Sequence, residues 1–310
     1  MLLPHATHPT QPAHMNLHNA IISYELLGVH GAIGVIVLNI PHVLNAIDDT
    51  MVQHLAKKLR AWQAADHIHA ICLRGVESSR GFCAGGDLRA LQQLPHDEAI
   101  AVLRAEYQLI SQLQQCTKPI ISFLHGYTMG AGVGLSMATS LRIGTPDLQW
   151  AMPETAIGFF PDVGASYFLR QAPSSIGLML GLTGKTISAD CCHYAGFIDY
   201  ITHTSSTDLI QQLAQTNIQR DGIQPFIDFV QQQHIPPKPD SWLANHASLI
   251  EHTFSQPGLA AINAALDALL PLDWAEEIAT LLASRCPRSL AVSTQLLQGP
   301  QPSTLQTALA

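Results

Sequence analysis

Three times in its first half the chain runs from a short apolar segment through a loop into a stretch with helical patterning. Ile33-Gly34-Val35-Ile36-Val37-Leu38 is apolar throughout and stops before Pro41. Met51, Leu55, Leu59 and Trp62 then recur at helical spacing over 48–64, with Asp48 placed to cap the first turn. Ala70-Ile71-Cys72-Leu73 leads through Arg80-Gly81-Phe82-Cys83-Ala84-Gly85-Gly86 into a helix from Asp87 through Leu94, and a further helix is expected over Ala99–Gln115. Pro119-Ile120-Ile121-Ser122-Phe123-Leu124 passes Gly126 and Met129-Gly130-Ala131-Gly132 before a helix over Val133–Leu141. Strands without polar alternation are buried on both faces, and helices returning between them do the covering, so an α/β fold is expected.

Past about residue 205 the pattern becomes helical and glutamine-rich, broken by Pro236-Pro237-Lys238-Pro239 and Pro257-Gly258. Helices are expected at 206–217, 223–233, 258–269, 273–285 and 287–297, and Gly299-Pro300-Gln301-Pro302 reads as a loop with a short end. A chain of 310 residues, 47% hydrophobic and 12% charged, buries a substantial core. The division expected is a flexible tail at 1–14, an α/β core at 15–205 and a helical C-terminal region at 206–310.

The formal charge of −8 argues against nucleic acid as a partner, and no apolar run is long enough to span a bilayer. The first basic residue is Lys57, so neither a secretory signal nor an arginine-rich transit peptide is read, and a cytoplasmic location is expected. Six cysteines without zinc or redox spacing read as reduced thiols. His5, His8 and His14 have no acidic or cysteine companion, so no metal site is expected there.

Ala84-Gly85-Gly86 and Gly130-Ala131-Gly132 each follow a strand and precede a helix. Small residues let a ligand approach the backbone, and two N–H groups aimed at one point make an oxyanion hole. Downstream, Met152-Pro153-Glu154-Thr155-Ala156-Ile157-Gly158-Phe159-Phe160-Pro161-Asp162-Val163-Gly164 places two carboxylates in an otherwise apolar run. On this segment alone Glu154 and Asp162 read as a helix start and a turn cap, with an acid, base or nucleophile as the alternative. Following two such loops, they point to chemistry on a carbonyl carbon. Rival motifs fail: Leu135 replaces the last glycine of a dinucleotide fingerprint, Met179 the first of a P-loop, and Ala138 the glycine after a nucleophile elbow at Ser136.

Gly81-Phe82-Cys83-Ala84-Gly85-Gly86-Asp87-Leu88 and His125-Gly126-Tyr127-Thr128-Met129-Gly130-Ala131-Gly132-Val133-Gly134-Leu135-Ser136 resemble the two oxyanion-hole segments of the crotonase (enoyl-CoA hydratase/isomerase) superfamily. Within it, residues 151–164 and Tyr167-Phe168-Leu169 are most similar to the 3-hydroxyisobutyryl-CoA hydrolase family. The resemblance, over roughly 18–297, implies a crotonase-like spiral of ββα units with a helical C-terminal region. It implies an acyl-CoA thioester substrate, coenzyme A as part of that substrate, no metal or redox cofactor, and hydrolysis within valine catabolism. It leaves a homo-oligomer open.

Carried across, the resemblance puts the N–H groups of Ala84 and Ala131 on the thioester oxygen, with Gly85, Gly86, Asp87 and Gly130 at the substrate. Glu154 becomes the catalytic carboxylate, as nucleophile or general base. Asp162 binds the substrate hydroxyl and moves protons, and Glu106, in Ala105-Glu106-Tyr107-Gln108-Leu109, lines the pocket. Ala131 stands where the family usually has glycine. The family's chain usually runs on past the position of Gly299, while this one ends at Ala310, so weaker enclosure of the ligand and an impaired KM are expected. The alternatives are an enoyl-CoA hydratase/isomerase-type lyase, whose second glutamate falls at the position of Gly134, and a catalytically weak acyl-CoA-binding homologue.

Overall fold

In a computed structural model describing residues 20–309, the apolar segments form the centre of a six-stranded sheet. Its order is β1 (Ile21–Gly28), β2 (Gly31–Leu38), β3 (Ile68–Gly75), β4 (Ile120–Leu124), β6 (Leu141–Gly144) and β9 (Tyr200–Ile201). β1 and β2 are an antiparallel hairpin, and every later pairing in this sheet is parallel. A second sheet, β5 (Tyr127–Met129), β7 (Gln149–Ala151) and β8 (Ile187–Ser188), stands on the loops that leave the first.

The helices are α1 (Asp49–Ala64), α2 (Leu88–Gln92), α3 (His96–Gln114), α4 (Ala131–Met137), α5 (Ala165–Phe168), α6 (Ile176–Thr183) and α7 (Ala189–Tyr194). They are followed by α8 (Ser206–Ala214), α9 (Ile218–Asp221), α10 (Gln224–Gln232), α11 (Trp242–Phe254), α12 (Gly258–Asp267), α13 (Asp273–Ala283), α14 (Pro287–Gln298) and α15 (Leu305–Ala308). β2 does not alternate because both its faces are covered. Ile36 and Leu38 join the larger core with Leu55, Leu59 and Trp62 of α1, while Ile33, Val35 and Val37 pack with Leu209 and Leu213 of α8 and Phe226 and Val230 of α10. Asp48 caps α1 as its position suggests, accepting from the Met51 N–H at 2.8 Å.

Some elements differ from the sequence reading. The helix expected to reach Leu141 stops at Met137: the Thr139 hydroxyl donates to the Ser136 carbonyl at 2.7 Å, and Leu141 instead pairs with Ile121 in the main sheet. The stretch 206–217 breaks after Ala214. α11, capped by Ser241 accepting from the Ala244 N–H, was not expected after the proline-rich Pro236–Pro239. The short end is a helix as well, since Thr304 and Thr307 form a reciprocal capping box at the start of α15. The tail at 1–14, with its three histidines, lies outside the described residues.

Candidate active site

β3 and β4 are neighbours, and their outgoing loops are stitched together. The Phe82 N–H donates to the His125 carbonyl at 2.8 Å, and the Met129 N–H to the Cys83 carbonyl at 2.9 Å. Approach this close requires glycine: a side chain at Gly132 would begin 2.3 Å from the Cys83 carbonyl oxygen. The stitching brings Gly85 beside the second loop, where its missing side chain would begin 3.8 Å from the Ala131 nitrogen.

Backbone hydrogen bonds decide which N–H groups are available. Ala84 donates to the Leu44 carbonyl at 3.0 Å and Gly130 to Ala151 at 3.2 Å. Ala84 is therefore corrected as an oxyanion donor, because its N–H is already engaged. Among the described residues, Gly86 and Ala131 donate to no backbone carbonyl. Ala131 opens α4, whose first-turn N–H groups have no partner within the helix. Asp87 is turned to capping: one carboxylate oxygen accepts from Arg89 and Ala90 at 3.0 Å each, at the start of α2.

Three carboxylates surround these loops. Glu154 begins a short 3-10 turn, Glu154–Ile157, just after β7. Its Oε1 lies 3.0 Å from where a side chain at Gly130 would begin, and its Oε2 is buried without a hydrogen-bond partner. Glu106 projects from α3, with Oε2 3.8 Å from where a side chain at Gly86 would begin. Asp162 accepts a 2.7 Å hydrogen bond from the Tyr107 hydroxyl. Tyr107 sits beside Glu106 on α3, and sequence reasoning passed over it because a lone tyrosine on a helix carries no signal of its partner.

Burial and mutual repulsion shape the charges here. Burial, then the Asp162 charge, push Glu106 up to about 8. Burial raises Glu154 well above the ordinary carboxylate range, with Asp162 and Glu106 adding to it. Burial brings Asp162 to about 6 although the Tyr107 hydrogen bond pulls the other way. Displaced carboxyls gathered in one place, around free N–H donors, are a basis for acid–base or nucleophilic work on a bound carbonyl.

One wall of the site is closed by packing. A side chain at Gly134 would begin 2.6 Å from Val163 Cβ and 2.9 Å from the end of Ile110. The turn carrying Val163 and Gly164 has φ of 45° and 86°. Leu305 of α15 is buried against it, so a side chain at Gly164 would begin 2.1 Å from a Leu305 methyl. The last helix thus packs on the residues next to Asp162.

The family model described as enoyl-CoA hydratase/isomerase matches residues 33–310. Human mitochondrial 3-hydroxyisobutyryl-CoA hydrolase is 30% identical, across 95% of this chain and 78% of that protein. The Bos taurus mitochondrial enzyme of the same name is 32% identical across 78% of this chain and 64% of its own length. The crystal structure of a carnitinyl-CoA dehydratase from Mycobacterium thermoresistibile superposes with a TM-score of 0.80 at 31% identity, covering 93% of this chain and 82% of that one. The fold is therefore crotonase-like. These relatives overturn the expected cytoplasmic location: both hydrolases are named as mitochondrial.

Proposed function

The chain belongs to the enoyl-CoA hydratase/isomerase family, and from that membership we propose that it hydrolyses 3-hydroxyisobutyryl-CoA to 3-hydroxyisobutyrate and free CoA, a step of valine catabolism. The supporting observation is the buried, unpartnered Glu154 Oε2 beside two loops with available N–H groups. The N–H groups of Gly86 and Ala131 hold the thioester oxygen and stabilise the negative charge that forms on it.

Two routes use this arrangement. In one, a Glu154 oxygen attacks the thioester carbon, CoA leaves as its thiolate, and water opens the resulting acyl–glutamyl anhydride. In the other, Glu154 takes a proton from a water whose oxygen attacks the same carbon as the C–S bond breaks. Either way the thiolate collects a proton. Asp162, oriented by Tyr107, binds the substrate's 3-hydroxyl and relays protons. Glu106 lines the acyl pocket beside Gly86.

Packing favours this over the hydratase reading. A second glutamate at Gly134 would collide with Val163 and Ile110. The test is release of free thiol from a panel of 3-hydroxyacyl-CoA and 2-enoyl-CoA thioesters. Thiol released from 3-hydroxyisobutyryl-CoA supports the reading. Hydration of enoyl-CoA without thiol release would replace it.

A further inference from the structure

The turn that carries Glu154 is four residues long and has no side-chain cap at its start. A 3-10 segment this short has little stability of its own, so the placement of its first carboxylate depends on what the turn is tied to.

The ties come from the C-terminal half, and they converge on one residue. Thr155 is fully buried. Its hydroxyl donates to the Leu182 carbonyl at 3.0 Å, near the end of α6. Its own carbonyl accepts from the Cys286 N–H at 3.1 Å, at the entry to α14. Next to Cys286, Arg285 Nε donates to the Thr183 carbonyl at 2.6 Å, tying the corner between α13 and α14 to the same end of α6. Gly184, at φ 61°, then turns the chain against the glutamate's other neighbour, where a side chain would begin 3.1 Å from Pro153 Cα. Glu154 thus follows Pro153, which Gly184 approaches closely, and precedes Thr155, which two hydrogen bonds anchor.

We propose that Thr155 is a positioning residue for Glu154, bridging α6 and α14 so that the carboxylate stands at a fixed height beside Gly130. The proposal rests on the hydrolase reading for its kinetic consequence, but not for its geometry. The Thr155 hydroxyl is engaged with Leu182, so it acts through its neighbour. A shift of a catalytic group by about 1 Å can cost on the order of a hundredfold in rate. Loss of the hydroxyl leaves a buried carbonyl without this donor and removes one of the two hydrogen bonds that fix Thr155.

Thr155→Val keeps the shape and removes the donor. The expected result is a kcat lower by about tenfold or more with KM within about twofold, and return most of the way to the parent kcat in Thr155→Ser. A folded Thr155→Val protein with unchanged kcat, or one altered only in KM, overturns the proposal. A second readout does not depend on turnover. In protein carrying 13C-carboxyl glutamate, the Glu154 signal is identified by its loss in Glu154→Gln and followed against pH. In Thr155→Val its midpoint should fall toward the ordinary carboxylate range, because a loosened turn admits water. An unchanged midpoint counts against the proposal even if the parent protein releases no CoA, a result that would sink the hydrolase reading alone.

Discussion

The Tyr107 hydroxyl and Asp162 Oδ2 lie 2.7 Å apart, joining α3 to the turn after Pro161. A hydrogen bond to the ionised carboxylate favours the charged form, so it opposes the burial that raises Asp162 to about 6. Tyr107→Phe should therefore move Asp162 further up. The acidic limb of the kcat/KM profile should shift to higher pH, with a loss of about tenfold near pH 6 that narrows by pH 8. A parallel drop across the whole profile would assign Tyr107 to packing alone.

Glu154→Gln keeps the size of the side chain and removes its charge and basicity. Turnover should fall by about a hundredfold or more while the thermal transition stays cooperative. In single turnover in 18O-water, label entering Glu154 marks the anhydride route. Label confined to the released acid fits both direct attack by water and an anhydride opened at its acyl carbon, and trapping of an acyl-enzyme with hydroxylamine separates these two.

Asp162→Asn should harm 3-hydroxyacyl-CoA more than the matching substrate without the hydroxyl. The ratio of kcat/KM for the two substrates is the measurement. A constant ratio would remove Asp162 from hydroxyl recognition.

The clustered carboxyls also make stability depend on pH. Glu106 rises from an ordinary 4.5 to about 8 and Asp162 from 3.8 to about 6 on folding. The folded protein holds protons that the unfolded chain has released, so this contribution is complete below about pH 4 and is lost as pH climbs through 6 and 8. Unfolding free energy from urea titrations should fall between pH 5 and pH 8.5, and Glu106→Gln should flatten the slope. An equally steep slope in that variant would show that Glu106 ionises in the folded state much as it does when unfolded.

Gly134→Ala tests the closed wall. Its methyl would start 2.6 Å from Val163 Cβ in a buried helix, and overpacking of this kind costs about 1–3 kcal/mol. A urea midpoint equal to that of the parent would mean the Val163 turn yields easily.

Much of this was legible in the chain because it depends on local chemistry. The unalternating run at 33–38 announced a strand covered on both faces, and Glu154 and Asp162 stood out as charges in an apolar stretch. Ala84 was misjudged for a physical reason. Sequence shows which residues are small, but not which N–H already has a partner, and Ala84's partner depends on the unusual backbone of the preceding loop, where Leu44 and Asn45 have φ of 55° and 57°. Tyr107 was hidden similarly, since its partner lies 55 positions away. The early end of α4 depends on Leu141 finding Ile121, a long-range pairing that outweighs helical periodicity.

The contact between Leu305 and Gly164 has a practical consequence for anyone recombining this chain with its relatives. Residue 164 and the final helix form one inheritable unit. A donor tail lacking a bulky apolar residue at 305 leaves a hole behind the Asp162 turn, and a side chain at 164 strains a backbone at φ 86° and displaces the Leu305 methyl. Crossover points for chimeras therefore belong outside this pair, with both members taken from the same parent.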